Sequence, residues 1–297
     1  MQTKHHYLDP VALSRLGNLE LVARLVVEGF VTGLHKSPYQ GFSVEFSEHR
    51  QYMPGDEIRH IDWKVFGKSD RYYVKKFEEE TNLRVYLVLD ASQSMTYQFD
   101  DSGISKLQYG CYLAASLAYL MLKQRDSVGL VTFDQQIRDY IPPRGVPTHL
   151  QAIISILESI TADAETDVAT VLNDLAKRIV RRGLVIVISD LLDQPTKVLS
   201  ALKHFRHRKH EVIVFHLLDS AEKTFPFQGA ISFSDLETGQ RLVTQADSLK
   251  SSYLEQLNRF IQDYQRGCGA NMIDYVQINT DTPFDHALSA YLSNRQS

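Results

Sequence analysis

Cysteine and net charge are both scarce in this sequence, and each shortage excludes a class of protein. Two cysteines in 297 residues, Cys111 and Cys268, cannot build the bridge framework on which small secreted domains depend. Cys111 falls in an apolar helical pattern, where a buried thiol is inert, and Cys268 sits in a Gly-Cys-Gly stretch that reads as a turn. A formal net charge of −4 gives no bulk attraction to nucleic acid. No apolar run reaches the roughly 18 residues that a membrane span needs. The opening residues Met1 to Tyr7 lack the apolar centre of a signal peptide, so the expected compartment is the cytoplasm. There is no Gly-x-x-x-x-Gly-Lys-Ser/Thr phosphate loop and no Gly-x-Ser-x-Gly elbow, which removes nucleotide hydrolysis of that type and α/β-hydrolase chemistry.

What is present is an ordinary globular composition, 43% hydrophobic and 23% charged. Apolar residues at helical spacing, including Leu16, Leu19, Val22, Val26 and Phe30, predict a helix over residues 11–33. Short alternating segments at 42–46, 58–61 and 71–77, separated by Pro-Gly-Asp and Gly-Lys-Ser-Asp turns, predict a small β region. From residue 84 the pattern alternates strand and helix. Strands are expected at 84–89, 127–133, 137–141, 184–189, 211–218 and 272–276. Helices are expected at 106–123, 147–161, 167–182, 194–207 and 247–266, with a last one from Pro283. This order predicts an α/β fold with a doubly wound, mostly parallel sheet. The expected division is an N-terminal helix and β-rich region over 1–80, then an α/β domain over 81–297 with a β insertion near 225–245.

The chemistry gathers at strand ends. Asp90-Ala91-Ser92-Gln93-Ser94 follows the apolar run Arg84-Val-Tyr-Leu-Val-Leu, and such buried strands bind ligands at their carboxyl ends. One carboxylate and two hydroxyls at alternate positions are hard oxygen ligands suited to Mg²⁺, or to Mn²⁺; an Asp-Ser helix cap is the simpler use of the same residues. A second apolar strand, 184–189, ends in Asp190, and the intervening loop carries Thr166, with Glu165 beside it as an extra carboxylate or a solvated one. Asp-x-Ser-x-Ser, then Thr, then Asp, resembles the metal-ion-dependent adhesion site of von Willebrand factor A-type domains. The resemblance implies Asp90, Ser92, Ser94 and Thr166 around the ion, and Asp190 acting through water. Ala164-Glu165 stands where that family often has glycines.

The run 45–64 is dense in aromatic, charged and turn residues and holds the single tryptophan, Trp63. Its residue types suit packing of the β region by Tyr52 and Trp63, with Asp56, Arg59 and Asp62 in ion pairs and caps. Arg50-x-Tyr52-x-Pro54-Gly55-Asp56-x-x-Arg59-x-Ile61-Asp62-Trp63-Lys64, with Val74-Lys75-x-Phe77-Glu78 and Asp90-x-Ser92-x-Ser94-Met95, resembles domain-of-unknown-function family fifty-eight. Its members are bacterial von Willebrand factor A-like proteins encoded beside MoxR-type AAA ATPases. The expected function is a non-enzymatic, metal-dependent interaction module; the resemblance implies a MoxR-type AAA ATPase as its partner, with this chain as adaptor or substrate-recruiting subunit and an acidic side chain of the partner completing the metal. The alternative is a metal-assisted phosphohydrolase using Asp90; that chemistry wants a second acid two residues on, where Ser92 stands. The basic stretch Lys203 to His210 reads as a solvated helix end that complements the helix dipole.

Overall fold

The structure, a computed structural model, describes residues 9–35, 49–51, 73–75, 83–100, 103–162, 167–236 and 239–294. The strand candidates at 42–46 and 58–61, the residues Tyr52, Asp56, Arg59, Asp62 and Trp63, and the metal candidate Thr166 with Glu165 lie outside the described residues.

The N-terminal apolar pattern forms two helices, α1 (Pro10–Ser14) and α2 (Leu19–His35). The single helix expected over 11–33 is broken at Gly17, whose φ of 63° lies in the left-handed region. Asn18 then accepts the Leu21 N–H at 2.8 Å and starts α2. Leu16 consequently falls in the turn and is exposed, whereas Leu19, Val22, Val26 and Phe30 are buried. Next come two short antiparallel strands, β1 (His49–Gln51) and β2 (Tyr73–Lys75).

The main sheet has six strands: β3 (Arg84–Asp90), β4 (Ser127–Phe133), β5 (Ile137–Arg144), β6 (Leu184–Ser189), β7 (Glu211–Leu218) and β10 (Asp274–Asn279). Their order is β10-β7-β6-β3-β4-β5, and only the β4-β5 pair is antiparallel. The near-continuous apolar runs of β3, β6 and β7 are what a strand covered on both faces requires. Pleating sends alternate residues to opposite faces. Val85, Leu87 and Leu89 of β3, with Ile186 and Ile188 of β6, meet α2, α3 (Lys106–Lys123), α4 (His149–Ser159) and α9 (Phe284–Asn294). Tyr86 and Val88, with Val185 and Val187, meet α5 (Val168–Arg178), α6 (Pro195–His207) and α8 (Ala246–Gly269). The doubly wound, mostly parallel α/β arrangement expected from the sequence is the one found. The buried face of α2 packs on α3 and is continuous with the core of the large sheet.

The stretch near 225–245 contains a hairpin, β8 (Ala230–Ser234) and β9 (Arg241–Gln245), anchored by rings of Phe225, Phe227, Phe233 and Tyr253 at centroid distances of 4.9 to 5.8 Å. Cys268 is not in a turn: α8 runs through it and buries it, because the missing side chain of Gly267 lets Leu199 of α6 pack close, 2.2 Å from where a Cβ would stand. Burial pushes the thiols of both Cys111 and Cys268 up to about 12. The last strand starts two residues later than expected, since Met272 takes a left-handed turn conformation with φ 54°. Among the described residues no helix is long and apolar enough to cross a membrane.

Candidate functional site

Strands β3 and β6 are adjacent and parallel, with Leu89 opposite Ile188. Asp90 and Asp190 therefore reach the same sheet edge, both buried. The chain leaves β3 through Ala91, whose N–H donates to the Phe133 carbonyl at 2.7 Å, then turns into a short 3₁₀ helix, Gln93–Thr96. The Ser92 N–H donates to Asp90 Oδ1 at 2.9 Å, and the Ser92 and Ser94 hydroxyls approach to 3.1 Å. The structure thus brings Asp90, Ser92 and Ser94 together at one point on the rim.

Ser189 completes this cluster and was not singled out in the sequence. Its hydroxyl donates to Asp90 Oδ2 at 2.6 Å and accepts the Leu191 N–H at 2.9 Å. Leu191 is buried with φ at 55°, an unusual conformation for a branched residue. A clamp from α8 holds it there: the Tyr264 hydroxyl donates to the Leu191 carbonyl at 3.0 Å. Tyr264→Phe is expected to lower stability by about 1–2 kcal/mol, the cost of one unmet buried hydrogen bond. A urea midpoint unchanged from wild type would show that the loop stands without the clamp.

Asp190, expected to act on an ion through water, accepts the Lys106 ammonium at 2.8 Å on Oδ2, with the Leu192 N–H at 3.4 Å on Oδ1. The pleat explains this. Asp190 continues the β6 residues that face α3, whose first residue is Lys106. Asp90 follows Tyr86 and Val88 on the other face. Lys106 also donates to Glu222 Oε1 at 2.9 Å. Glu222 belongs to the short helix α7 (Ser220–Thr224), where its Oε2 accepts the Asp219 N–H in a capping box. A sequence signal for Lys106 existed: a cation in the first turn of a helix opposes the helix dipole and calls for nearby acids.

The electrostatics divide the acid pair. Burial, then the charge of Asp190, push the Asp90 carboxyl up to about 7 against the hydrogen bonds from Ser189 and Ser92. Burial alone would lower the Lys106 ammonium, but Asp190 and Glu222 outweigh it and hold the group above the usual lysine range. Burial raises the Glu222 carboxyl, with Lys106 opposing. Among the described residues Asp90 has no ion-pair partner, whereas Asp190 has Lys106.

That asymmetry tests the fit to a divalent cation. A buried carboxylate without a counter-charge, flanked by two convergent hydroxyls, is a donor set of the hard-oxygen kind that Mg²⁺ takes. Among the described residues no three His, Cys, Asp or Glu side chains converge in a metal-holding group, so a cation here would rely on the serines. Asp90, Ser92 and Ser94 fit; the Asp190 carboxylate is shared with Lys106. A cavity of about 360 Å³ adjoins the cluster, lined by Ser94, Tyr97, Lys106, Leu192 and Glu222, with the hairpin residues Ser234 to Leu236 at its edge. The larger cavity, about 770 Å³ over the first turns of α5 and α6, includes none of the rim residues in its lining.

Several known proteins are similar. Among solved structures, BatB, a conserved hypothetical protein of Bacteroides thetaiotaomicron, is 17% identical, with a TM-score of 0.47 over 72% of this chain and 100% of that chain. An aerotolerance-related membrane protein of Bacteroides fragilis is 20% identical, with a TM-score of 0.48 over 71% of this chain and 97% of that one. Uncharacterised proteins of Mycobacterium tuberculosis and Mycobacterium bovis are each 24% identical over 298 residues, covering 97% of this chain and 91% of their own. The profile described as "Protein of unknown function DUF58" matches residues 48–259. A match over that share of the sequence makes this chain a member of the DUF58 family of proteins of unknown function.

Proposed function

We propose that this chain is a non-enzymatic interaction module that binds a protein partner through a divalent cation, Mg²⁺ or Mn²⁺, held at the rim of the sheet. The observation that carries the reading is the buried, uncompensated Asp90 carboxylate beside the paired hydroxyls of Ser92 and Ser94. Asp90 and the two serines hold the ion, Thr166 fills the place the resemblance gives it, and Ser189 orients the carboxylate. An ion bound there offers an open coordination position to a carboxylate from another protein. The family resemblance supports a MoxR-type AAA ATPase as that partner, with this chain as its adaptor in the cytoplasm.

Co-purification with the neighbouring ATPase, in magnesium and in chelator, tests the reading. Wild type should associate only in magnesium, and Asp90→Ala or Thr166→Ala should abolish association while the thermal unfolding profile stays cooperative. Metal-independent association that survives both substitutions would sink the proposal. Turnover of phosphomonoesters in magnesium, lost in Asp90→Asn, would favour the phosphohydrolase instead.

A further inference from the structure

Lys106 stands out as a cation placed against local preference. It is the first residue of α3, where the helix dipole disfavours positive charge. Its side chain is 1% exposed, a state that an ammonium tolerates only when paired. The pairing is complete: Asp190 at 2.8 Å, Glu222 at 2.9 Å, and the Tyr97 ring with its centroid 5.7 Å away. All of this happens at the same sheet edge as Asp90, whose carboxylate has no such partner. The protein therefore carries a tethered positive charge beside a cluster that, on the reading above, receives a mobile one.

We propose that Lys106 is an internal counter-cation that holds the divalent-metal affinity of the Asp90 cluster low in the free chain, and that Glu222 tunes this by sharing the ammonium. The inference rests on the metal reading of Asp90, Ser92 and Ser94. Its logic is electrostatic. With Lys106 in place, the Asp190 charge is neutralised from the α3 side, so the rim presents about one negative charge to an incoming ion rather than two. Glu222 draws on the same ammonium and so restores part of the negative field. Among the described residues neither Lys106 nor Glu222 hydrogen-bonds Asp90, Ser92 or Ser94, so the effect reaches the ion through the charge of Asp190.

Opposite shifts in the two variants follow. Calorimetric titration of the full chain with MnCl₂ should show Lys106→Met binding about tenfold tighter or more than wild type, because the charge that neutralises Asp190, itself a neighbour of Asp90, is removed from a buried site. Glu222→Gln should bind weaker by about threefold or more, for the converse reason. A buried ion pair with a structural role alone would alter unfolding temperatures and leave both affinities within twofold of wild type. That result, with wild-type binding abolished in Asp90→Asn, would overturn this inference while leaving the metal site standing. No binding by either wild type or Lys106→Met would overturn the metal reading and this inference with it. If Lys106→Met does not fold, Glu222→Gln decides: weakened binding supports the inference and unchanged binding overturns it.

Discussion

Lys106→Ala is expected to destabilise the chain by about 3–5 kcal/mol, the range for removing one partner of a buried ion pair. The alanine leaves Asp190 fully buried and Glu222 largely so, both facing the space the ammonium held. Their mutual repulsion and desolvation then count in full, whereas in wild type the shared lysine offsets them. Urea denaturation at neutral pH measures the loss. Adding Glu222→Gln to Lys106→Ala should recover part of it, since one of the two stranded charges is gone. A loss below about 1 kcal/mol for the single variant would mean that water or a rearranged loop replaces the ammonium, and that the network is not the closed unit described above.

Asp90→Asn is expected to act in the opposite sense and to reveal itself in the pH profile. Burial and Asp190 raise the folded-state carboxyl from 3.8 to about 7, so between those values the folded chain holds a proton that the unfolded chain has released. Stability from this group is therefore full below about pH 4 and is lost as pH rises towards 7. The asparagine variant lacks that loss. At pH 8 without divalent metal it should be more stable than wild type by about 1–3 kcal/mol, because the buried charge lacks a counter-ion and is offset only by the hydrogen bonds from Ser92 and Ser189. His216 contributes the reverse slope: buried, its ring is lowered to about 4, so stability from it rises with pH through the usual histidine range. Subtracting the two profiles removes it. Millimolar Mg²⁺ should stabilise wild type at pH 8 and not Asp90→Asn, by mass action on the folded state. Parallel pH profiles for the two proteins would show that Asp90 is ionised and compensated in the fold.

Much of the architecture was legible because it depends on period and continuity. The runs ending at Asp90 and Asp190 are apolar throughout, which marks strands covered on both faces, and α3 begins and ends at Lys106 and Lys123 as its pattern predicts. Where local reading failed, a contact or a single backbone angle intervened. Gly17 split the first helix, and α8 runs on through Cys268, with Leu199 packed closely against Gly267.

The candidate site divides along the same line. Sequence alone put Asp90, Ser92 and Ser94 within five consecutive residues, so their convergence needed only a turn after a strand. It also placed Asp190 at the end of a second strand. Which way that carboxylate turns was decided by the tertiary structure: strand order set β6 beside β3, and the pleat aimed Asp190 at α3 and Ser189 at Asp90. Lys106, Ser189 and Glu222 lie 84, 99 and 116 residues from one or other of their partners. Separations of that size carry no local signature, because the energy that joins these groups comes from shared burial of charge, and burial exists only once the sheet and both helix layers have closed.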